Sequence, residues 1–315
     1  MKKIQPAKNR QGIAFALGAY LLWGILPAYW KLVQHVPSSE VLAHRIVWSF
    51  IFMLAILLAG SKWRAFREEL AEIKKNHKKC LGVITASLLI TVNWFIYIWA
   101  VNSDRIIETS LGYYINPLVS VLLGILVLKE RLSFWQTVSF FLALLGVLNM
   151  TFHFGAVPWV ALTLAISFAL YGLIKKVINV GAITGITVET MLISPFTLLY
   201  LIHLHLTGTG SFRFSSPGLA ALLVGAGIVT ALPLILFAKG ANRLPLSILG
   251  FLQYLAPTIA LLLGVLIYHE SFTRVHLISF SFIWAALLIF SLSKTGPLVR
   301  LETLLPKRTV RKRTV

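Results

Sequence analysis

The chain has 315 residues, of which 58% are hydrophobic and only 12% charged, and it carries a formal net charge of +19. With a mean hydropathy of +0.84 this composition excludes an ordinary soluble domain and marks an integral membrane protein. Cys80 is the single cysteine, which rules out an intramolecular disulfide and argues against a cysteine-based metal site.

Ten apolar segments follow in chain order, at 12–34, 40–60, 80–101, 105–127, 133–151, 157–176, 184–206, 217–239, 244–267 and 272–292. Each is close to the roughly 20 residues that a helix needs to cross about 30 Å of hydrocarbon. Stretches such as "LVSVLLGILVL" and "FSFIWAALLIF" are continuously apolar, whereas barrel strands alternate apolar and polar residues. The expected fold class is an all-α integral membrane protein.

The first span carries Tyr20, Trp23, Pro27 and Lys31, and the second opens on "EVLAHRIVWS", with Glu40, His44 and Arg45 ahead of an uncharged run. Between spans two and three, "SKWRAFREELAEIKKNHKK" places Trp63, Phe66, Leu70 and Ile73 at helical spacing among charges, the pattern of a helix lying on the inner membrane surface. The third span offers Asn93 and Tyr97 one turn apart, beside Trp94 and Trp99. On the fourth, Thr109, Tyr113, Asn116 and Ser120 form one polar stripe; the sixth carries Thr163, Ser167 and Tyr171. Pro27, Pro117, Pro195, Pro233 and Pro257 fall inside spans, where each removes a backbone donor and permits a kink.

Basic residues set the expected orientation, because segments rich in Lys and Arg stay on the cytoplasmic side. With the N-terminus inside, 24 of the 29 Lys and Arg fall on inner segments, leaving Lys31, Arg45, Arg105, Arg213 and Arg274 toward the outside. Both termini are therefore expected in the cytoplasm of a cell (inner or plasma) membrane protein. The positive charge follows topology and forms no single groove, so nucleic acid is not an expected partner.

An internal repeat joins "YYINPLVSVLLGILVLKER" from Tyr113 to "QYLAPTIALLLGVLIYHES" from Gln253. A shift of 140 residues matches Tyr114 with Tyr254, Pro117 with Pro257, Gly124 with Gly264 and Glu130 with Glu270 without a gap. A weaker echo joins "LLWGIL" to "ALYGLI", pairing Trp23 and Gly24 with Tyr171 and Gly172. The expected organisation is a cytoplasmic segment 1–11, a first repeat 12–151, a second 152–293 and a basic tail 294–315. Five crossings per repeat is an odd number, so the second copy enters the membrane from the opposite side. Inverted repeats of this kind underlie alternating access, with substrate near the midplane.

The blocks "WGILPAYWK", "EVLAHRIVWS", "NWFIYIWAVNSDRIIETSLGYYINPL", "LKERLS" and "QYLAPT" resemble the RarD-type branch of the EamA transporters, in the drug/metabolite transporter superfamily. The resemblance spans nearly the whole chain. It implies ten helices in two inverted five-helix repeats around a central cavity, with exporter-like activity on small organic solutes.

Polar residues inside a bilayer mark pathways because hydrocarbon gives them no partners. The expected cavity residues are Trp23, Asn93, Trp94, Tyr97, Thr109, Tyr113, Tyr114, Asn116, Tyr171, Gln253 and Tyr254. Lys31, Glu40, Arg45 and Glu108, with His44, are expected to form an outer gate of ion pairs, and Glu189 with Lys175 or Lys176 its inner counterpart. Arg45 pairs with Glu108 or receives an anionic group of the substrate in this reading. His44 is the candidate for proton coupling, since its ordinary pKa lies near neutrality, and protons are a possible second partner. Aromatic surfaces, amides and cations together suit an amphipathic or carboxylate-bearing metabolite such as an amino acid, or an aromatic drug. A passive facilitator or channel is the alternative. A membrane enzyme lacks support: no metal set, HExxH or Gly-rich phosphate loop is present, and no cofactor is expected.

Overall fold

A computed structural model describes residues 6–102, 106–155, 158–213, 215–268 and 272–293. Arg105, Glu270, the first five residues and the tail 294–315 lie outside the described residues, and so does the side chain of Glu108. The described residues form twelve helices. They are α1 Pro6–Leu32, α2 Ser38–Ala59, α3 Trp63–Lys75, α4 His77–Asn102, α5 Ile106–Leu126, α6 Phe134–Phe154, α7 Trp159–Ile178, α8 Ala182–Leu206, α9 Pro217–Ala241, α10 Leu246–Gln253, α11 Leu255–Leu266 and α12 Arg274–Leu292.

Ten stretches of this helix are long and apolar enough to span a membrane, with α10 and α11 counting as one. They coincide with the ten segments read from sequence to within about four residues at either end. The protein is a multi-pass membrane protein of all-helical fold.

Helix α3 is the amphipathic segment expected from sequence, but its apolar face has a protein partner. Phe66 and Ile73 are buried with Leu57, Val83, Ile178, Val180 and Val188, and Leu70 packs against the same cluster; Trp63 stays exposed. Glu69 holds the helix in place by accepting from Gly181 N at 2.5 Å.

Two compact units can be distinguished, one holding α1–α5 with α7–α11 and the other holding α6 and α12. In the first, the closest packings join helices of opposite halves: α5 with α7, α4 with α7, α1 with α9, α2 with both α8 and α9, α5 with α10 and α1 with α11. Exchanging each helix for its repeat mate (α1 for α7, α2 for α8, α4 for α9, α5 for α10–α11) converts this set of pairs into itself, α8 with α4 included. The four spans that each repeat contributes to this unit therefore interleave about a pseudo-two-fold axis, and five crossings per repeat, an odd number, make the repeats inverted.

In the second unit α6 packs on α12, and Gly146 lets the two backbones close, since a Cβ there would stand 2.6 Å from Ser279 O. Asn149 Nδ2 donates to Ser279 Oγ at 2.9 Å across the pair. Both helices open on a capping box, Ser133 with Gln136 and Thr273 with His276; these positions are again 140 apart and extend the repeat past its visible identities.

The Gly–Glu part of the repeat has a concrete role in the first half. Glu130 turns back and accepts from Leu246 N at 2.6 Å, Ser247 N at 2.8 Å and Ser247 Oγ at 2.6 Å, satisfying donors at the N-terminus of α10. A Cβ at Gly124 would lie 2.8 Å from the same carboxylate. Any larger residue there would push the carboxylate from this position.

The α2–α9 contact is the tightest test of this packing. Ser49 Oγ donates to Gly227 O at 2.9 Å, and a Cβ at Gly227 would sit 2.5 Å from the backbone N of Ser49, which has no rotamer to yield. Gly227→Ala is expected to destabilise the fold by about 1–3 kcal/mol, seen as a lower thermal unfolding midpoint in detergent micelles; a midpoint equal to wild type would refute this account of the contact.

Candidate functional site

A cavity of about 1090 Å³, counting the open space at its mouth, lies within the first unit. It is lined by Tyr20, Trp23, Leu26, Pro27 and Trp30 of α1, Arg45 of α2, Asn93, Trp94 and Tyr97 of α4, and Gly112, Tyr113 and Asn116 of α5. Leu164 and Phe168 of α7, Thr230 and Leu234 of α9, Gln253 of α10 and three residues of α11 complete it. These positions run from mid-helix to the end of the bundle where α1 finishes and α2 begins.

The deep end is an aromatic floor. The Trp23 ring lies 5.6 Å from both Phe168 and Phe237, Phe168 lies 5.3 Å from Phe237, and Tyr171 stacks on Phe237 at 6.0 Å. Tyr20 packs against Trp23 at 5.8 Å and donates its hydroxyl hydrogen to Leu249 O at 3.0 Å. Trp23 and Tyr171 are the pair matched by the weak repeat echo, so the two halves contribute equivalent rings to one plug.

Below the floor, Lys175 Nζ lies 2.5 Å from Glu189 Oε1, and the Tyr171 hydroxyl donates to Glu189 Oε2 at 3.1 Å. Both charged residues are 4% exposed, and Ser87 Oγ ties α4 to the same point through Glu189 O at 3.0 Å. Of the two lysines considered, Lys175 takes the carboxylate; Lys176 instead donates to the carbonyl of Leu244 near the end of α9. A smaller cavity reaches Glu189 past Trp94 and Leu234, residues it shares with the large one.

At the wide end, Arg45 occupies the cavity wall. Its Nε donates to Thr230 Oγ1 at 3.0 Å, and its Cζ lies 4.7 Å from the Trp30 ring and 5.0 Å from the Trp94 ring. Tyr97 and Tyr113, whose rings are 6.0 Å apart, are its electrostatic neighbours.

Of the residues expected to line a cavity, Trp23, Asn93, Trp94, Tyr97, Tyr113, Asn116 and Gln253 do so. Thr109, Tyr114, Tyr171 and Tyr254 are buried between helices instead, Tyr114 donating its hydroxyl hydrogen to Pro257 O at 3.3 Å. Asn93 also joins helices, giving its amide to Leu164 O and Ser167 Oγ at 2.9 Å. On α7 the cavity face is Leu164 and Phe168, not the polar residues, because Thr163 and Ser167 bond back to carbonyls one turn earlier.

The expected outer cluster divides in the structure. Glu40 accepts from Ser211 N at 2.7 Å and Ser211 Oγ at 2.9 Å, fastening the loop between α8 and α9 onto the start of α2. His44 Nε2 lies 3.8 Å from Glu40 Oε1, its Nδ1 accepts from Trp48 Nε1 at 3.2 Å, and Phe212 covers the ring at 5.2 Å. Lys31 Nζ sits 3.3 Å from the centre of the Tyr268 ring. Arg45 turns from all of these into the cavity. Thr230, Phe168, Phe237 and Trp30 were not legible as site residues, since nothing in an apolar run distinguishes an aromatic that faces a cavity from one that faces lipid.

A chamber among the eight interleaved spans of the first unit, closed at one end and built from inverted repeats, defines a membrane transporter of solutes. The chain belongs to the EamA-like transporter family, whose pattern matches it twice, over residues 10–152 and 156–292. The uncharacterised transporter YojE of Bacillus subtilis is 48% identical over 92% of this chain and 97% of its own length. The protein RarD of Escherichia coli is 43% identical over 90% of this chain and 94% of that one. The "chloramphenicol-sensitive protein RarD" of Pseudomonas aeruginosa is 31% identical over 89% and 93%. A solved crystal structure superposes with a TM-score of 0.66 at 19% identity, covering 94% of this chain and 100% of that chain; at that identity the likeness is one of fold.

The Lys175–Glu189 pair gives a stability prediction. Glu189→Ala strands a buried cation and is expected to cost about 3–5 kcal/mol, whereas the double change Lys175→Met with Glu189→Leu recovers most of it. Thermal unfolding of the three proteins checks this, and a double variant no more stable than the single one would contradict it.

Proposed function

We propose that the protein is a secondary transporter that moves small amphipathic organic solutes out of the cell by alternating access. The observation that carries the reading is the closed end: an aromatic plug with equivalent rings from both repeats, backed by a buried ion pair, under a cavity that opens the other way. An exchange of roles between the two repeats opens the plug and closes the wide end.

The distribution of Lys and Arg supports placing both termini in the cytoplasm, so that the cavity faces outward and the Lys175–Glu189 pair is the inner gate. The proposed substrate contacts are Trp23, Asn93, Trp94, Tyr97, Tyr113, Asn116 and Gln253, with Arg45. Lys31, Glu40 and the loop that Glu40 fastens form the outer rim, and His44, packed between Glu40 and Trp48, is the proposed proton-responsive group. The name of the Pseudomonas relative supports drug-sized compounds among the solutes.

Counterflow into proteoliposomes loaded with a mixed metabolite extract, read by mass spectrometry with and without a pH gradient, tests this. A few solutes are expected to exchange saturably, and Trp23→Ala and Asn116→Leu proteins that insert normally are expected to slow them about tenfold or more. Flux that rises without saturation would mean a channel, and no flux of any solute would overturn the transport reading.

A further inference from the structure

We infer that the cavity selects solutes bearing a single carboxylate on an apolar or aromatic body, and that Arg45 is the residue that recognises it; this rests on the transport reading above. Among the described residues lining the cavity, Arg45 is the one with a formal charge. A guanidinium set among the spans of a membrane protein is costly unless water or an opposite charge compensates it, and none of the described carboxylates lies in ion-pair range of it: Glu40 is committed to Ser211 and Glu189 to Lys175. Arg45 stands in the cavity wall, where the negative charge of an entering solute can reach it.

The way Arg45 is held narrows the chemistry. Its guanidinium lies over two tryptophan rings, Trp30 at 4.7 Å and Trp94 at 5.0 Å, which stabilises the charge without using its N–H groups. Thr230 takes Nε at 3.0 Å. What remains is the edge carrying the two terminal nitrogens, which make no hydrogen bond to any described residue, and that edge matches the two oxygens of a carboxylate. A lone cation above an aromatic floor suits one negative charge better than the two of a phosphate monoester. Trp23 lies seven residues deeper on α1 than Trp30, about 10 Å at the helical rise. An acid bound at Arg45 thus lays a body of about one ring and a short chain against Trp23 and Phe168.

The test uses two nearly isosteric probes, 3-phenylpropionate and 3-phenylpropionamide, titrated calorimetrically into the full-length protein in detergent at neutral pH. The wild type is expected to bind the acid at least about tenfold more tightly than the amide, since charge-assisted hydrogen bonds exceed neutral ones by that margin. Arg45→Ala is expected to abolish the preference while still binding the amide, and Arg45→Lys to keep part of it. Thr230→Val, which frees the guanidinium without removing it, is expected to weaken the acid several-fold and leave the amide unchanged; this variant serves if Arg45→Ala does not fold. Equal binding of the two probes by wild type, binding of neither, or a preference that survives Arg45→Ala overturns the inference. Its fate is separable from that of the transport reading. Counterflow that enriches only neutral or cationic solutes sinks the anion selectivity and leaves transport standing, whereas absence of all flux sinks transport while the probe preference is judged on its own.

Discussion

Hydrocarbon supplies no hydrogen-bond partner, so every polar group carried into the bilayer has to find one within the protein or face a cavity wet enough to replace water. That constraint makes every described span helical, and it also sorts the side chains. Ser49 bonds to Gly227 O, Asn93 to Leu164 O and Ser167, Ser87 to Glu189 O, Tyr20 to Leu249 O and Asn149 to Ser279. Each of these bonds joins a residue of the first repeat to one of the second. Polar groups thus act first as ties between halves. Those left over, such as the free edge of Arg45, give the cavity its character.

The repeats share a plan and differ in conformation. Helix α5 runs unbroken through Pro117, while the equivalent span breaks at Tyr254, between α10 and α11, three residues before Pro257. A proline leaves the carbonyl one turn earlier without its usual donor, so either copy can bend there; the neighbours decide which does. Tyr114 reaches Pro257 O, but the hydroxyl of its mate Tyr254 is buried with no hydrogen-bond partner among the described residues. Two equivalent segments in unequal states are what a protein needs if its two ends are to open in turn.

The part of the site that could be read from sequence was the part with polar residues out of place: Asn93, Tyr97, Tyr113, Asn116 and Gln253 all face the cavity. Helical periodicity found the stripe on α5 but not its direction of use, since Thr109 and Ser120 on the same stripe are buried. Sequence proximity misled at the outer end. Glu40, His44 and Arg45 lie within six residues, yet the single-residue step from His44 to Arg45 turns Arg45 to another face of the helix and into the cavity, while Glu40 and His44, one turn apart, meet the loop carrying Ser211 and Phe212. Phe237 and Thr230 gave no signal because a long apolar helix looks alike on all its faces.

The sequence by itself determined the number and limits of the spans, the relation between Tyr114–Glu130 and Tyr254–Glu270, and hence the inversion. These follow from the thickness of hydrocarbon and from identities that survive in the chain. Only the tertiary structure decided that helices of the two halves interleave, that Lys175 and not Lys176 holds Glu189, and that Arg45 lies over tryptophans from two other helices. Those facts depend on which helix faces meet at distances of a few ångströms, and helical periodicity constrains the faces of one helix without naming its neighbour.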